Sequence, residues 1–311
     1  MRLVTLGDIH SAAETIAGTA LRTPLVPCAW GDADRPLWLK PENLQPIGAF
    51  KIRGARNAIR PGMTGVVAYS SGNHGQAVAY VARQLGIPAI VVVPDTTPDV
   101  KIAGMQNLGA DVIVVAPAER VSRAEELAAR HGYPLIPPFD SLDVIAGQGT
   151  VGLEIAEDLP DVEVVLVPIS GGGLISGVGT AIRALAPRAK VIGVEPALAA
   201  DARESLAAGR VVSWPIESTQ QTIADGLRSP QLSELTFAHI REVVDAIVTV
   251  TEEEIGAAVG VLARSSRLVA EPSGAVTTAA YLYHREELPI GRTVAVLSGG
   301  NINPALLAAL V

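Results

Sequence analysis

The sequence predicts an α/β protein with two open, mostly parallel sheets, helices on both faces, and a large and a small domain. Runs such as Ala89 to Val93 and Asp111 to Val115 are β-branched and unbroken by polar alternation, as strands covered on both faces require. Helical segments alternate with them along the chain, the signature of parallel crossover connections. Glycine-rich loops follow several of the runs, where ligands of open α/β sheets bind, outside the carboxyl ends of strands.

In order, the periodicity predicts a first helix over about residues 8 to 20 with Asp8 as its N-cap. After Thr23-Pro24 the chain reads as irregular until a short strand, Leu37 to Lys40. A helix from about Phe50 to Arg60 is stopped by Pro61-Gly62. Strands at 65–69, 89–93 and 111–115 alternate with helices at 75–85, 100–108 and 118–131, and Pro134 to Pro138 closes that group. A helix over 141–158, a strand over 163–169, a glycine loop with its helix and a strand over 190–195 follow. Residues 209–231 read as irregular. The chain resumes with a strand over 246–250, a helix capped by Thr251 with Glu254 at the capping-box position, a helix from about Ser273 and a last strand over 293–297. These elements divide into a large domain, 1–64 with 143–311, and a small mobile domain, 65–142.

Composition excludes several function classes. The 311 residues carry a formal charge of −8 spread without like-charge runs, so nothing marks a nucleic-acid or anionic-membrane partner. Cys28 is the only cysteine, which rules out an intrachain disulfide and fits a cytoplasmic setting. No apolar run approaches the roughly 20 residues that cross a bilayer, and the N-terminus becomes polar too soon for a secretory signal. No membrane partner is expected.

Four stretches carry chemistry. Lys51 lies between Phe50 and Ile52 at a helix start, just after Pro46-Ile47-Gly48. Burial would favour its neutral amine, which can attack a carbonyl; the alternative is an ordinary surface lysine. Ser170-Gly171-Gly172-Gly173-Leu174 could gather backbone N–H groups on one phosphate at a helix start. A dinucleotide is the rival, with Glu195 in the ribose role, and a tight packing turn is the third reading. Ser70-Ser71-Gly72-Asn73-His74-Gly75 reads as a nest for a carboxylate or as a capped helix end. Ser298-Gly299-Gly300-Asn301 by itself is only a glycine turn.

In combination and order these motifs resemble the threonine dehydratase and serine racemase family, the fold type II group of pyridoxal-phosphate (PLP) enzymes. Pro137-Pro138-Phe139-Asp140, Ile145 to Thr150 and Ile223 to Gly226 are similar to it as well, so the resemblance covers essentially the whole chain. It implies that Lys51 holds PLP and moves the Cα proton of an amino-acid substrate. It implies that Phe50 flanks the cofactor ring, Asn73 meets its 3-hydroxyl, and Gly171, Gly172, Gly173 and Leu174 bind its phosphate. Ser298 would meet the pyridine nitrogen, where a neutral hydroxyl gives a weaker electron sink than a carboxylate and suits elimination. The implied reaction removes water from L-threonine or L-serine to give a 2-oxo acid and ammonia, with Ser70, Ser71, Asn73 and His74 receiving the substrate carboxylate.

The resemblance also gives Ser71 the acid/base role on the opposite face of Cα, which would permit serine racemisation. Arg123 and Ser229 stand near positions that contact a second carboxylate or a hydroxyl, which admits 3-hydroxyaspartate. Glu195, Ala199 and Asp201 match the spacing of the family's divalent-cation site for Mg²⁺ or Ca²⁺; the alternative is two solvated acids at a helix start. Ser170 departs from the fourth glycine of many members but keeps a backbone N–H. The chain ends soon after the Ser298 loop, so no C-terminal regulatory domain is expected, and a homodimer is. Rival classes are a nicotinamide-dependent dehydrogenase and a non-catalytic amino-acid-binding protein.

Overall fold

The computed structural model describes residues 1–311 apart from Ser71, Pro98 and the side chain of Val100. A first helix, α1 (Leu6–Ile16), precedes an antiparallel ribbon, β1 (Val26–Asp32) and β2 (Arg35–Pro41), and then α2 (Lys51–Ala58). Three βα units follow: β3 (Val66–Tyr69), α3 (Asn73–Leu85), β4 (Ala89–Pro94), α4 (Asp99–Asn107), β5 (Asp111–Val115) and α5 (Arg120–His131). The chain continues through α6 (Leu142–Asp158), β6 (Val164–Pro168), α7 (Gly173–Leu185), β7 (Lys190–Pro196), α8 (Asp201–Ala208), the short α9 (Ile216–Thr219), α10 (Glu234–Val243) and β8 (Ala246–Val250). It closes with α11 (Glu252–Val261), α12 (Pro272–Tyr283), β9 (Thr293–Leu297) and α13 (Pro304–Leu310).

The strands form two sheets, a six-stranded one in the order β1-β2-β9-β6-β7-β8 and a three-stranded one, β3-β4-β5. Every neighbouring pair is parallel except β1 with β2. All residues of β4, β6 and β9 are buried, as their unbroken aliphatic runs require of strands covered on both faces. Two cores sandwich the large sheet: Leu166, Val194 and Ala295 face one way, while Val165, Val167 and Val296 face the other. The α/β class with two open, mostly parallel sheets is as expected from the sequence.

Three local expectations change. Thr5, not Asp8, caps α1; Asp8 is the third helical residue and its carboxylate accepts the Thr5 backbone N–H, a capping box. The segment after Pro24 is the strand β1, not irregular chain. Its Pro27 and Gly31 argue against a central strand, and the structure tolerates them because β1 is an edge. Helices α8, α10 and α13 lie where none was expected, and the short α9 lies within the stretch 209–231 read as irregular. The capping box of Thr251 with Glu254 at the head of α11 is present as read.

The topology decides where the motifs meet. Because β2, β9 and β6 are parallel neighbours, the loops leaving their carboxyl ends emerge side by side. Those loops are the Lys51 approach, the Ser298 loop and the Ser170 loop.

Candidate active site

The Lys51 approach is stitched to the Ser298 loop. Phe50 donates its N–H to the Ser298 carbonyl at 3.1 Å, Gly300 donates to the Gly48 carbonyl at 2.9 Å, and the Asn301 amide donates to Ile47 at 2.8 Å. Lys51 opens α2, and its Nζ donates to the Pro138 carbonyl at 2.7 Å, 5.1 Å from the centre of the Phe50 ring. Burial without a compensating carboxylate pulls its pKa down to about 8. A usable fraction of neutral amine therefore exists at neutral pH, which an exposed lysine would lack.

The glycine loop faces the same space. Gly172 is the N-cap of α7 with φ +87°, and no side chain caps that helix, so its first N–H groups are left for an anion. A Cβ at Gly172 would add contacts of 2.9 to 3.0 Å with Thr236, Ile240 and Leu232, and one at Gly171 would fall 2.2 Å from the Phe139 ring. Glycine is thus required by both conformation and space. Segment 137–140 links the two parts of the site, since Pro138 binds Lys51 and Phe139 lies on the glycines. Leu174 is buried in the first turn of α7. The Ser229 N–H donates to Ser170 Oγ at 3.3 Å, which seats Ser229 beside the loop.

Asn73 opens α3. Its Nδ2 donates to Glu271 Oε1 at 2.6 Å and its Oδ1 accepts from Asn301 Nδ2 at 2.8 Å. Ser70 Oγ accepts from the Gly72 N–H at 3.0 Å. His74 is buried, and desolvation followed by the nearby Lys51 charge lowers its pKa to about 3 despite its bond to Ile136. The neutral ring donates from Nε2 to the Ile136 carbonyl at 2.8 Å, so its side chain brings no positive charge to a carboxylate. Ser298 Oγ is buried and donates to the Ser273 carbonyl at 3.4 Å. Ser71 lies outside the described residues. Arg123 pairs with Glu126 on α5 at 2.5 Å; no described contact joins it to the nest.

Two residues of the site were not anticipated. Lys101 of α4 pairs with Asp225, and a Cβ at Gly72 would lie 3.4 Å from its Nζ, so this ammonium stands against the nest. Glu271, the N-cap of α12, is buried between Asn73 and Gly299. No sequence spacing marks either one, because their partners are more than 120 residues away in the chain.

At the carboxyl end of β7, Glu195 is buried and accepts N–H bonds from Ala202 and Arg203 at 3.1 and 2.9 Å. Both Asp201 carboxylate oxygens are buried without a partner among the described residues, while Ala199 is buried just ahead of them. Burial, then the Asp201 charge, drives the Glu195 pKa well up, and burial lifts Asp201 to about 7. These acids are not the solvated pair of the alternative reading. Glu195 is committed to α8, which removes it from the ribose role of the dehydrogenase reading.

A family model described as pyridoxal-phosphate dependent enzyme matches residues 16–299. The chain belongs to this family. An L-threo-3-hydroxyaspartate ammonia-lyase of Saccharomyces cerevisiae is 40% identical over 100% of this chain and 97% of its own length. An L-threonine ammonia-lyase of Geobacter sulfurreducens is 43% identical over 89% of this chain and 70% of its own. The solved structure of maize serine racemase superposes with a TM-score of 0.93 at 35% identity, covering 99% and 97% of the two chains.

The residues present fit pyridoxal phosphate. The family's cofactor needs an amine that can be neutral, an anion cradle and partners for a ring. Lys51 supplies the first, the uncapped start of α7 the second, and Asn73 with Ser298 offers polar groups for the third. Among the described residues no helix is long and apolar enough to cross a membrane.

Proposed function

We propose that this PLP-dependent enzyme is a hydroxyamino-acid ammonia-lyase that removes water from L-threonine or L-serine, giving a 2-oxo acid and ammonia. The observation that carries the reading is Lys51, with its pKa brought to about 8 between an uncapped glycine nest and the Ser298 loop. When bound, pyridoxal phosphate would supply the electron sink for the Cα–H and Cβ–O bond changes. Lys51 would hold the cofactor at rest and take the Cα proton once substrate has displaced it. Gly171, Gly172, Gly173 and Leu174 would anchor the phosphate through N–H groups, and Phe50 would flank the ring. Ser298 would present a neutral hydroxyl to the ring nitrogen and Asn73 an amide N–H to the ring oxygen. Ser70, Ser71 and the backbone of residues 72–74 would seat the substrate carboxylate, with Lys101 adding positive charge at its side.

A second reading, 3-hydroxyaspartate as substrate, is favoured by the full-length likeness to the yeast enzyme. Arg123 would have to leave Glu126 to serve it, with Ser229 supporting. Racemisation would add Ser71 as acid/base on the other face. The deciding assay measures 2-oxo acid from L-threonine, L-serine and L-threo-3-hydroxyaspartate, with chiral analysis of the remaining amino acid. We expect oxo acid from at least one of them; a cofactor-loaded enzyme that releases none from any of the three overturns the lyase reading.

We further assign residues 65–142 as a unit that moves against the rest, a homodimer, a cytoplasmic setting, and a divalent cation at Glu195, the Ala199 carbonyl and Asp201. Two buried carboxylates, of which Asp201 has both oxygens without a partner among the described residues, suit a hard cation. The ordinary Asp201 value of 3.8 rises to about 7 in the folded chain. Across that window the folded state binds more protons than the unfolded one, so stability of the cation-free protein falls as pH rises. Mg²⁺ or Ca²⁺ should therefore raise Tm more at pH 8 than at pH 6 and give heat in calorimetry. Absence of both heat and shift at pH 8 removes the site.

A further inference from the structure

Glu271 is 2% exposed, yet none of the roles above uses it. Its Oε1 accepts from Asn73 at 2.6 Å, and its Oε2 has no hydrogen-bond partner among the described residues. Its own N–H donates to the Gly299 carbonyl at 3.1 Å, and a Cβ at Gly299 would come within 2.3 Å of Oε1. The carboxyl is therefore pressed against the loop that follows Ser298, inside the candidate site. Asn301 holds Oδ1 of Asn73 from the other side. This two-sided clamp fixes the amide plane and leaves one Asn73 N–H uncommitted.

We propose that Glu271 is a proton-holding positioning residue: its carboxylate locks the Asn73 amide with one N–H free for the cofactor, and protonation loosens that lock. The inference rests on the role given above to Asn73. An ionised acceptor makes a shorter and roughly twofold stronger hydrogen bond than a neutral one, so the lock tightens as the proton leaves. The charged groups facing the carboxyl are Asp225, from the turn at 225–227, and Lys101, from α4; α3 and the Ser298 loop present only the Asn73 amide and the Gly299 backbone. Burial and then Asp225 raise the Glu271 pKa, Lys101 and the Asn73 bond lower it, and the balance stands at about 7. The Lys101–Asp225 pair thus bears on the proton with two opposed charges.

The test uses the cofactor-loaded enzyme and two readouts. One is the infrared C=O stretch of the protonated carboxyl as pH is varied; the other is the pH profile of kcat/KM. Wild type should lose the infrared band through about pH 7, with kcat/KM falling by up to roughly tenfold per pH unit below the midpoint. Glu271→Gln should lack the band and flatten that limb. Asp225→Asn should move the infrared midpoint down, and Lys101→Gln should move it up. A purely structural Glu271 would predict neither the flattened limb nor opposed shifts. The inference is overturned if Glu271→Gln keeps the limb or if the two charge variants shift the midpoint in the same direction; the charge variants decide it should Glu271→Gln fail to fold. A wild type with this infrared titration and opposed shifts that makes no oxo acid supports the inference and overturns the lyase reading.

Discussion

Lys51→Ala is expected to lower turnover by about 10⁴-fold and to remove any borohydride-sensitive visible absorbance, because one side chain both holds the cofactor and moves the Cα proton. The size of the effect follows from its surroundings. Lys40 is buried as well, but it is bound to Glu154 at 2.6 Å and stays with its partner. Lys51 donates to a carbonyl beside an aromatic ring and has no carboxylate partner among the described residues, and desolvation brings its pKa to about 8. Lys51→Arg separates chemistry from charge. Arginine keeps the cation and much of the length but stays protonated, so it should be nearly as inactive as alanine. Restoration of activity by Lys51→Arg would reduce Lys51 to an electrostatic role, and a normal rate in Lys51→Ala would end the assignment altogether.

Lys51, the glycine nest and the Ser298 loop were visible as local runs, but each alone had an ordinary reading: a surface lysine, a packing turn, a glycine turn. Their gathering into one site was legible through their combination and order, which carry the family resemblance, and through the rule that ligands bind at the carboxyl ends of parallel strands. Glu271 was not legible. Its meaning lies in contact with Asn73, 198 residues away, and a Glu-Pro pair at a helix start reads as an ordinary first turn. Lys101 was hidden in the same way, as one lysine of a helix until the fold sets it beside Gly72. At the other extreme, Thr5 and Asp8 were both in view and the cap was placed one turn late. A capping box puts an acid at the third helical position, where it imitates a cap itself. Arg123 shows the limit of motif alignment: position survives in the sequence, but the surface partner that a long side chain selects does not.

The buried cluster beneath α2 carries the second large effect: Arg53→Met should cost about 3–5 kcal/mol of stability, the penalty for stranding partners of a buried ion pair. Arg53 lies two residues beyond Lys51 and has no exposed side-chain surface. It meets Glu42 from Nε at 2.7 Å and Nη2 at 2.8 Å, and Glu154 from Nη1 at 2.6 Å and Nη2 at 2.9 Å. Thr150 and the Leu21 carbonyl take further N–H groups, while Lys40 pairs with Glu154 and Thr23. Two cations and two carboxylates balance, and Arg53 ties the helix that presents Lys51 to the turn at 42–44 and to α6. Burial would raise the Glu42 pKa, but Arg53 and Lys40 outweigh it and hold the carboxyl below its ordinary 4.5. In wild type that contribution is present above about pH 4.5 and fades as pH falls through the native value. With methionine at 53 the sign reverses for a buried, underpaired Glu42, which is then most easily tolerated when protonated. The stability gap between wild type and variant should accordingly be smaller at pH 4 than at neutral pH and close further only as pH falls through the native Glu42 value, read as a lower denaturation midpoint with an unchanged m-value. Adding Glu42→Gln to Arg53→Met should recover part of the loss at pH 7, since one stranded charge is gone. If the gap is the same at both pH values and the second change recovers nothing, the cost is lost packing rather than uncompensated charge.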